Sequence, residues 1–365
     1  MKTTGTADHD DGTEMQPSEA LARSSSFILH PSSFRRIAVL GAGSWGTALA
    51  VWLAACGHKV TLWGHDAAHI ASLRASGTND KYLPGVVLPS GITPVAELAA
   101  TAGADLLIFV IPSRALRGVA GQLRDADGTA PDATLLSCTK GIEYGSGARM
   151  SEILVECLPG RPVAVLSGPS HAEEVARQRP AAVVVGCAHT ETAVRLQTLF
   201  NAGTLRAYTG EDVAGIELGG ALKNIFAIAA GVSDGLGLGD NAKAALVTRC
   251  LAELVRLGVR LGGQRETFQG LSGIGDLMVT CFSQHSRNRR VGERLGRGET
   301  PEAIATSMSM VAEGVPTTRS AYDRARTLGI DTPVLDQVYA VLYEKRPPAE
   351  ALRGLFLREP KPEGC

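Results

Sequence analysis

The sequence predicts an α/β domain with a doubly wound sheet, followed by an all-helical C-terminal domain. Three observations predict this class: a glycine-rich turn between two apolar runs near residue 41, further short apolar runs up to about residue 210, and long helical patterns from about residue 212. The chain has 365 residues, of which 44% are hydrophobic, which is enough for about two domains with cores of their own.

The glycine-rich turn follows the first apolar run, IAVL at 37–40. Gly41, Gly43 and Gly46 form a G-x-G-x-x-G pattern, the signature of a Rossmann-type fold. The first glycine permits a tight turn, the second lets the backbone approach a pyrophosphate, and the third lets the next helix pack closely. A helical run up to Gly57 and a second apolar run at 59–63 complete a β-α-β unit. We therefore predict a dinucleotide site.

The end of the second apolar run bears on which dinucleotide binds. An acidic residue about 20 positions after the first glycine typically binds the adenosine ribose. Here the run ends Trp63-Gly64-His65-Asp66, so His65 stands at the ribose position. An imidazole tolerates a 2′-phosphate better than a carboxylate does, so the cofactor is predicted to be NAD or NADP. The alternative is that His65 is only a surface loop residue.

Further apolar runs at 104–112, 133–141, 162–170 and 180–187 are typical of strands buried on both faces. Because parallel strands bind ligands beyond their carboxyl ends, we expect Ser113, Lys140 and Ser170 at the mouth of the cofactor cleft.

Helical segments are predicted at 213–231, 241–257, 288–296, 313–328 and 333–344, with Asp240 as the N-cap of the second and Gly258 as its stop. The predicted organisation is a disordered extension at 1–33, a dinucleotide-binding domain at 34–210, a helical substrate-binding domain at 211–358 and a tail at 359–365.

Composition excludes several other functions. The net charge of −1 does not favour binding to nucleic acid or to an anionic membrane. The seven cysteines form no C-x-x-C pair, which is typical of reduced thiols in a cytoplasmic protein, and no cluster has metal-ligand spacing. The apolar run at 225–232 is too short to span a bilayer, so no membrane span is predicted.

Four clusters carry candidate chemistry. Lys140 ends an apolar run, and Gly168 to Ser170 form a turn in which Ser170 is expected to cap the next helix; ordinary strand-to-helix turns are the alternative for both. Lys223 lies in a helix of small and apolar residues, where a lysine either reaches solvent or is held with a depressed pKa for proton transfer.

The fourth cluster combines a carboxylate with an anion site. Asp276 and Thr280 are spaced to share one helical face, and Ser286, Arg287 and Asn288 follow at the start of a short helix. An arginine, a hydroxyl and a helix N-terminus suit a phosphate. The alternative is a solvated basic helix face, because four more arginines follow before residue 298.

Seven segments together resemble the bacterial NAD(P)-dependent glycerol-3-phosphate dehydrogenase family. They run in order between about residues 35 and 345: GAGSWGTALA, LWGHD, TKGIE, GPSHAEEV, GGALKNIFAIAAGVSDGLGLGDNAKAALVTR, GLSGIGDLMVTCFSQHSRNRRVG and VAEGVPT. The set is far more specific than the glycine pattern alone.

This resemblance implies a fold and a reaction. The fold is a Rossmann-type sheet followed by a helical domain of the 6-phosphogluconate-dehydrogenase-like kind. The reaction is sn-glycerol 3-phosphate + NAD(P)⁺ ⇌ dihydroxyacetone phosphate + NAD(P)H + H⁺, which supplies glycerol 3-phosphate for phospholipid synthesis. Relatives lead us to expect a homodimer.

The resemblance also implies residue roles. Lys223 is the expected proton acceptor and donor, with Asn224 and Thr280 also lining the site. The expected substrate contacts are Lys140, Gly168, Ser170, Lys223, Asp276, Ser286, Arg287 and Asn288. The expected cofactor contacts are Ser44, Trp45, His65, Lys140, Ala172, Arg287, Val311 and Glu313. Repulsion from Lys140 is expected to depress the pKa of Lys223, and Asp276 to oppose this.

Two other functions account for part of the sequence. Another two-domain dehydrogenase, such as a 3-hydroxyacid or 6-phosphogluconate enzyme, would share the helical lysine but not the Ser286-Arg287-Asn288 segment in this register. A nucleotide-sensing regulator would need an effector module, and the sequence contains no helix-turn-helix pattern or basic recognition helix.

Overall fold

The computed structural model describes residues 34–126, 129–308, 310–359 and 362. The predicted extension at 1–33 and most of the predicted tail lie outside these residues. The residues from 34 onward belong to one compact unit.

An eight-stranded sheet forms the N-terminal half of this unit. In chain order its strands are β1 (Ile37–Leu40), β2 (Val60–Trp63), β5 (Ile92–Val95), β6 (Leu106–Phe109), β7 (Thr134–Ser137), β8 (Val163–Ser167), β9 (Ala181–Cys187) and β10 (Leu205–Gly210). Across the sheet they stand in the order β10-β9-β8-β7-β6-β1-β2-β5. A separate hairpin consists of β3 (Thr78–Asn79) and β4 (Leu83–Val87).

Six of the eight strands are parallel, and the last two run in the opposite direction. Strand β9 pairs antiparallel with β8, and β10 pairs parallel with β9. The carboxyl end of β9 therefore lies at the sheet edge away from the glycine-rich turn, whereas β1, β6, β7 and β8 all end beside it. The sequence predicted a parallel sheet but not this reversal.

Helices cover both faces of the sheet. They are α1 (Ser44–Ala55), α2 (Ala67–Ser76), α3 (Ser113–Asp125), α4 (Met150–Cys157), α5 (Ala172–Val175) and α6 (Thr190–Phe200), with a 3₁₀ turn at Leu98–Thr101. Alternate residues of β1 enter different cores: Ile37 and Val39 pack with Trp52, whereas Ala38 and Leu40 pack with Leu116. Burial on both faces explains why the strands are continuously apolar.

The C-terminal half is helical. Its helices are α7 (Val213–Gly235), α8 (Asp240–Arg260), α9 (Asp276–Phe282), α10 (Arg287–Gly296), α11 (Pro301–Ser307), α12 (Gly314–Thr327), α13 (Pro333–Tyr343) and α14 (Pro348–Phe356). A 3₁₀ turn at Arg265–Gln269 and a π-helical turn at Leu271–Gly275 precede α9. One apolar core joins these helices around α7.

Three details differ from what the sequence predicted. Asp240 is not the N-cap of α8 but its first residue, because the cap position is Gly239, where φ is +82°. Gly258 does not end α8 but lies inside it, and the ring of Phe268 occupies the space that a side chain at 258 would fill; the chain turns at Gly262, where φ is +103°.

Helix α7, predicted at 213–231, extends to Gly235 and is long and apolar enough to cross a membrane, although its run at 225–232 alone is too short. However, 89% of its apolar window is buried inside the protein, as expected of a core helix.

Candidate active site

A cavity of about 450 Å³ lies at the carboxyl ends of the parallel strands and is closed by helices of the C-terminal half. Its lining comes from the glycine-rich turn, the ends of β2, β6 and β7, the α5 region and the starts of α9, α10 and α12. The two halves of the chain therefore both contribute to one site.

The glycine-rich turn fits a bound dinucleotide. A side-chain carbon at Gly41, where φ is +128°, would lie 2.4 Å from the carbonyl oxygen of Val110, and one at Gly46 would lie 1.8 Å from that of Gly41. One at Gly43 would meet no atom of the described residues within 4 Å, and Gly43 lines the cavity. The turn thus presents bare backbone to open space, as a pyrophosphate requires.

The outer end of the cavity lies near His65, the position expected for the adenosine ribose, and among the described residues no unpaired carboxylate stands there. His65 is exposed and lines the cavity. Asp66, the next residue, caps α2 by accepting a hydrogen bond of 3.1 Å from the backbone N–H of His69, and this bond lowers the pKa of Asp66. The Asp66 carboxylate also lies 3.8 Å from Lys81 Nζ. This end of the cavity therefore does not repel a 2′-phosphate strongly.

The inner end holds a buried lysine bound by a carboxylate and a hydroxyl. Lys223 of α7 is 5% exposed and its Nζ donates hydrogen bonds to Asp276 Oδ1 and, at 2.7 Å, to Thr280 Oγ1. Lys140 Nζ donates to the other Asp276 oxygen at 2.7 Å. Thr280 Oγ1 in turn donates to the Asp276 carbonyl at 2.6 Å, which places both residues on one face of α9, as predicted.

Electrostatics at this end favour a lysine that releases its proton more easily than usual. Burial lowers the pKa of Lys223, Asp276 opposes that shift and Lys140 adds to it. The opposing effects of Lys140 and Asp276 are those expected from the resemblance, but burial is the larger cause of the lowered pKa. Burial disfavours the charged form of Asp276 too, yet the charges of Lys140 and Lys223 hold its pKa below the ordinary value.

The start of α10 forms part of the cavity wall. Ser286 caps this helix by accepting from the backbone N–H of Arg289 at 3.2 Å. Arg287 Nη1 donates to the Val311 carbonyl at 2.9 Å, and burial lowers the pKa of Arg287 although Glu313 opposes the shift. A guanidinium, a hydroxyl and a helix N-terminus therefore converge on the cavity, which suits an anion.

Ser113, which the sequence placed at the mouth of the cleft, is not part of the cavity lining, but it joins the two halves of the chain through the lining residue Glu313. Ser113 at the start of α3 donates through Oγ to Glu313 at 2.7 Å and through its backbone N–H at 3.3 Å. Burial raises the pKa of Glu313, and the hydrogen bonds from Ser113 oppose this.

Most of the site residues predicted from the sequence line this cavity. Its lining includes Gly41, Gly43, Ser44, Trp45, His65, Lys140, Ser170, Ala172, Lys223, Asn224, Asp276, Thr280, Ser286, Arg287, Asn288, Val311 and Glu313. Gly46 lies behind the turn, where it lets α1 pack against Gly41.

Two details of the Gly168–Ser170 turn differ from expectation. Gly168 is not part of the cavity lining; its φ of +132° shapes the turn, and its carbonyl accepts from Ser170 Oγ at 3.0 Å. Ser170 does not cap the following helix, because the cap position is His171 and its side chain makes no capping bond.

The cavity lining also includes His171, His285 and Arg114, to which the sequence assigned no role. The rings of His171 and His285 lie 5.7 Å apart, and His171 Nε2 has no hydrogen-bond partner among the described residues. Burial and the charge of Lys223 lower the pKa of His171. The two histidines do not have the sequence spacing of metal ligands, so the residues around them did not indicate a functional role. In the described part of the chain, no group of three His, Cys, Asp or Glu side chains is arranged to hold a metal.

Comparison with known proteins gives consistent matches over almost the whole chain. Residues 36–193 match the model of the NAD-dependent glycerol-3-phosphate dehydrogenase N-terminus, and residues 212–353 match that of its C-terminus. A protein named glycerol-3-phosphate dehydrogenase (NAD(P)+) from Chlorobium limicola is 49% identical over 331 residues, which cover 90% of this chain and 99% of the relative. A relative of the same name from Geobacillus kaustophilus is also 49% identical, with 90% and 96% covered.

The fold agrees with a solved structure of the same kind. The crystal structure of glycerol-3-phosphate dehydrogenase from Coxiella burnetii superposes with a TM-score of 0.86 at 38% identity and covers 89% of this chain and 99% of that one. The Rossmann-type sheet with a helical C-terminal half, expected from the sequence, is thereby confirmed.

Proposed function

The chain belongs to the NAD-dependent glycerol-3-phosphate dehydrogenase family, and from that premise we propose that it interconverts sn-glycerol 3-phosphate and dihydroxyacetone phosphate with NAD(P). The observation that carries the proposal is the buried Lys223, which Asp276 and Thr280 hold at the inner end of a cavity lined by the glycine-rich turn. When bound, the nicotinamide supplies or accepts the hydride.

Lys223 supplies the proton in ketone reduction and accepts it in alcohol oxidation. Negative charge builds on the carbonyl oxygen as the ketone is reduced, so an ammonium beside that oxygen stabilises the transition state. Asp276 and Thr280 bind two of the hydrogens of the ammonium and so fix its direction. The lowered pKa of Lys223 makes the proton easier to transfer near neutral pH.

The phosphate of the substrate is assigned to the start of α10. Arg287, Ser286 and the N-terminal N–H groups of this helix supply positive charge and hydrogen-bond donors. Asn288 and Asn224 both line the cavity, and Asn288 Nδ2 donates a hydrogen bond of 2.9 Å to Asn224 Oδ1. Phosphate binding there aligns the carbonyl with Lys223, which converts binding energy into rate.

The remaining assignments follow from the cavity lining. Substrate contacts are proposed for Lys140, Gly168, Ser170, Lys223, Asp276, Ser286, Arg287 and Asn288, with Gly168 acting through the shape of its turn. Cofactor contacts are proposed for Ser44, Trp45, His65, Lys140, Ala172, Arg287, Val311 and Glu313. All of these except Gly168 line the cavity.

Several wider features belong to the same proposal. Family membership supports a role in providing glycerol 3-phosphate for phospholipid synthesis, a cytoplasmic location and a homodimer. The change from strands to helices near residue 211 supports the division into a dinucleotide-binding domain at 34–210 and a substrate-binding domain at 211–358.

A steady-state assay with dihydroxyacetone phosphate tests the function. Purified protein is given NADH and NADPH in parallel, and oxidation is followed by absorbance. We expect turnover that requires the phosphorylated ketone, with dihydroxyacetone itself a poor substrate. Absence of turnover with both cofactors, in a protein shown to be folded, would contradict the proposal.

A further inference from the structure

Helices α7 and α10 meet backbone to backbone through glycines on both sides. A side-chain carbon added to Gly292 of α10 would lie 1.9 Å from the carbonyl oxygen of Ile228, and one added to Gly231 of α7 would lie 1.9 Å from that of Arg289. Gly235 and Gly296 repeat the pattern one turn later, at 2.2 Å from the carbonyl oxygen of Glu293 and 2.6 Å from that of Val232. Ordinary side chains keep packed helices 8–10 Å apart, so these glycines permit a closer approach.

The contacts also define direction and register. Asn288 binds Asn224, Gly292 meets Ile228 and Gly296 meets Val232, so each step of four residues on α10 matches a step of four on α7. The two helices therefore run in the same direction. As a result, the N-terminus of α10 lies beside the turn of α7 that carries Lys223.

Both chemical ends of the proposed substrate site depend on this crossing. Lys223 precedes Asn224 on α7, and Arg287 precedes Asn288 on α10. Asn288 is buried and fully engaged: its Nδ2 donates to Asn224 Oδ1 at 2.9 Å and its Oδ1 accepts from the Gly314 N–H at 2.8 Å. The distance between the two helix backbones therefore determines the distance between Lys223, the proposed proton donor, and the anion site at Arg287.

We propose that Gly231 and Gly292 set the substrate length that this enzyme accepts, by fixing the distance between Lys223 and the phosphate-binding start of α10. In dihydroxyacetone phosphate, a single methylene and the ester oxygen separate the carbonyl carbon from phosphorus. Because the close crossing keeps Lys223 near the phosphate site, it favours a substrate in which the carbonyl and the phosphate are this close together. The inference deepens the proposed function and rests on it.

The size of the expected effect follows from the packing. At 1.9 Å, an added methyl group at Gly292 meets backbone and not a flexible side-chain end, so α10 must move away from α7. A displacement of about 1 Å between reacting groups can cost about 10²-fold in rate. The glycine-rich turn between β1 and α1 lies outside the crossing, and of the proposed cofactor contacts Arg287 alone belongs to α10.

The test compares Gly292→Ala with two other glycine variants. Gly296→Ala introduces a milder clash, at 2.6 Å, at the same crossing. Gly258→Ala is the matched control, because its methyl group would meet the Phe268 ring at 2.2 Å within α8, away from the crossing and the cavity. Each protein is assayed with dihydroxyacetone phosphate and with 1,4-dihydroxy-2-butanone 4-phosphate, which is one methylene longer. Tm and NADPH Kd are measured separately by thermal unfolding and fluorescence titration.

We expect kcat/KM for dihydroxyacetone phosphate to fall about 10²-fold in Gly292→Ala and less in Gly296→Ala. We expect the ratio of kcat/KM values to move toward the longer ketone in both, with NADPH Kd rising by a much smaller factor than kcat/KM falls, because Arg287 alone among the proposed cofactor contacts lies on α10. Gly258→Ala should lower Tm and leave the ratio as in the wild type. An unchanged ratio in both crossing variants, or an equal shift in Gly258→Ala, overturns the inference. Failure of the wild type to reduce the short ketone with either cofactor overturns the proposed function itself.

Discussion

The two ends of the cavity are built in different ways. At the inner end, Lys223 and Asp276 are almost completely buried and their charges are paired within the protein. At the outer end, His65 is exposed, and Asp66 and Lys81 form a loose pair of 3.8 Å with nearly half of each side chain accessible. Solvent therefore screens charges more strongly at the exposed outer end than at the buried inner one.

This contrast predicts a gradient of mutational effects. Solvent cannot take the place of a buried charge, so its removal is expected to lower the reaction rate strongly. An exposed charge pair contributes about 0–1 kcal/mol, and changes there adjust preference more than rate. We therefore expect substitutions to lose effect from Lys223 outward to His65.

The largest effect is expected for Lys223→Met. The change removes the ammonium but keeps much of the side-chain volume, and Asp276 retains its hydrogen bond from Lys140. The protein should therefore fold and bind cofactor. Loss of the proton donor should lower kcat by about 10²–10⁴-fold, and more where alkoxide stabilisation is lost as well. The measurement is kcat for dihydroxyacetone phosphate reduction, with cofactor Kd determined by titration.

A second buried lysine provides the control for that experiment. Lys243 is 6% exposed and donates to Asp234 at 2.8 Å, but it is absent from the cavity lining. Lys243→Met should lower Tm while kcat stays near the wild-type value. Lys223→Arg should not restore activity, because a guanidinium does not release its proton near neutral pH. A folded Lys223→Met protein with wild-type kcat would transfer the proton-carrying role to Lys140.

Arg287→Ala should have the next largest effect, on recognition of the phosphate. Loss of a charge-assisted contact should cost about 1.5–3 kcal/mol in kcat/KM for dihydroxyacetone phosphate. Dihydroxyacetone, which lacks the phosphate, should be affected much less. Because Arg287 also donates to Val311 in the proposed cofactor site, NAD(P)H affinity is measured separately.

Arg289→Ala is the matched control, since Arg289 lies on the same helix but pairs with Asp234 at 2.6 Å outside the cavity lining. It should lose the same small factor with both ketones. An equal loss for both ketones in Arg287→Ala would remove the phosphate assignment.

The pH dependence provides a test of the buried environment itself. Burial lowers the pKa of Lys223, and only the protonated amine can donate in ketone reduction. Reduction should therefore fall as pH rises through the lowered pKa, by about tenfold per pH unit above it, at a pH below the ordinary lysine value of about 10.4. Alcohol oxidation needs the neutral amine, so it should rise over the same range. Rates of both directions from pH 5 to 10 measure this, and a reduction rate independent of pH throughout would contradict it.

Two parts of the site could be predicted from short stretches of sequence: the glycine-rich turn and the start of α10. The role of Gly41, Gly43 and Gly46 depends on local backbone geometry, which a short motif encodes completely. The same holds for the start of α10 at Arg287, because Ser286 is a local cap. Such features depend on residues within a few positions of one another.

Long-range packing could not be predicted in the same way. Lys140, Lys223 and Asp276 are far apart in the chain, so their proximity was expected from the family resemblance and not from local sequence. The tertiary fold adds that one carboxylate binds both ammonium groups. Gly258 illustrates the converse error: it resembled a helix stop, but Phe268 packs against it and the helix continues. A glycine has two uses, in turns and at close contacts, and its neighbours in sequence do not distinguish them.

The smallest effect is expected for His65→Asp at the exposed end. A carboxylate there would face the 2′-phosphate of NADPH, whereas NADH carries a hydroxyl at that position. Partly screened repulsion should weaken NADPH by about tenfold and NADH by less. His65→Gln removes the imidazole without adding charge, and should change the NADPH to NADH ratio of Kd values less than His65→Asp does. Fluorescence titration of both cofactors measures this ratio. If His65→Asp weakens both cofactors equally, His65 does not contribute to specificity, and the Asp66–Lys81 pair becomes the next candidate because it lies at the same end of the cavity.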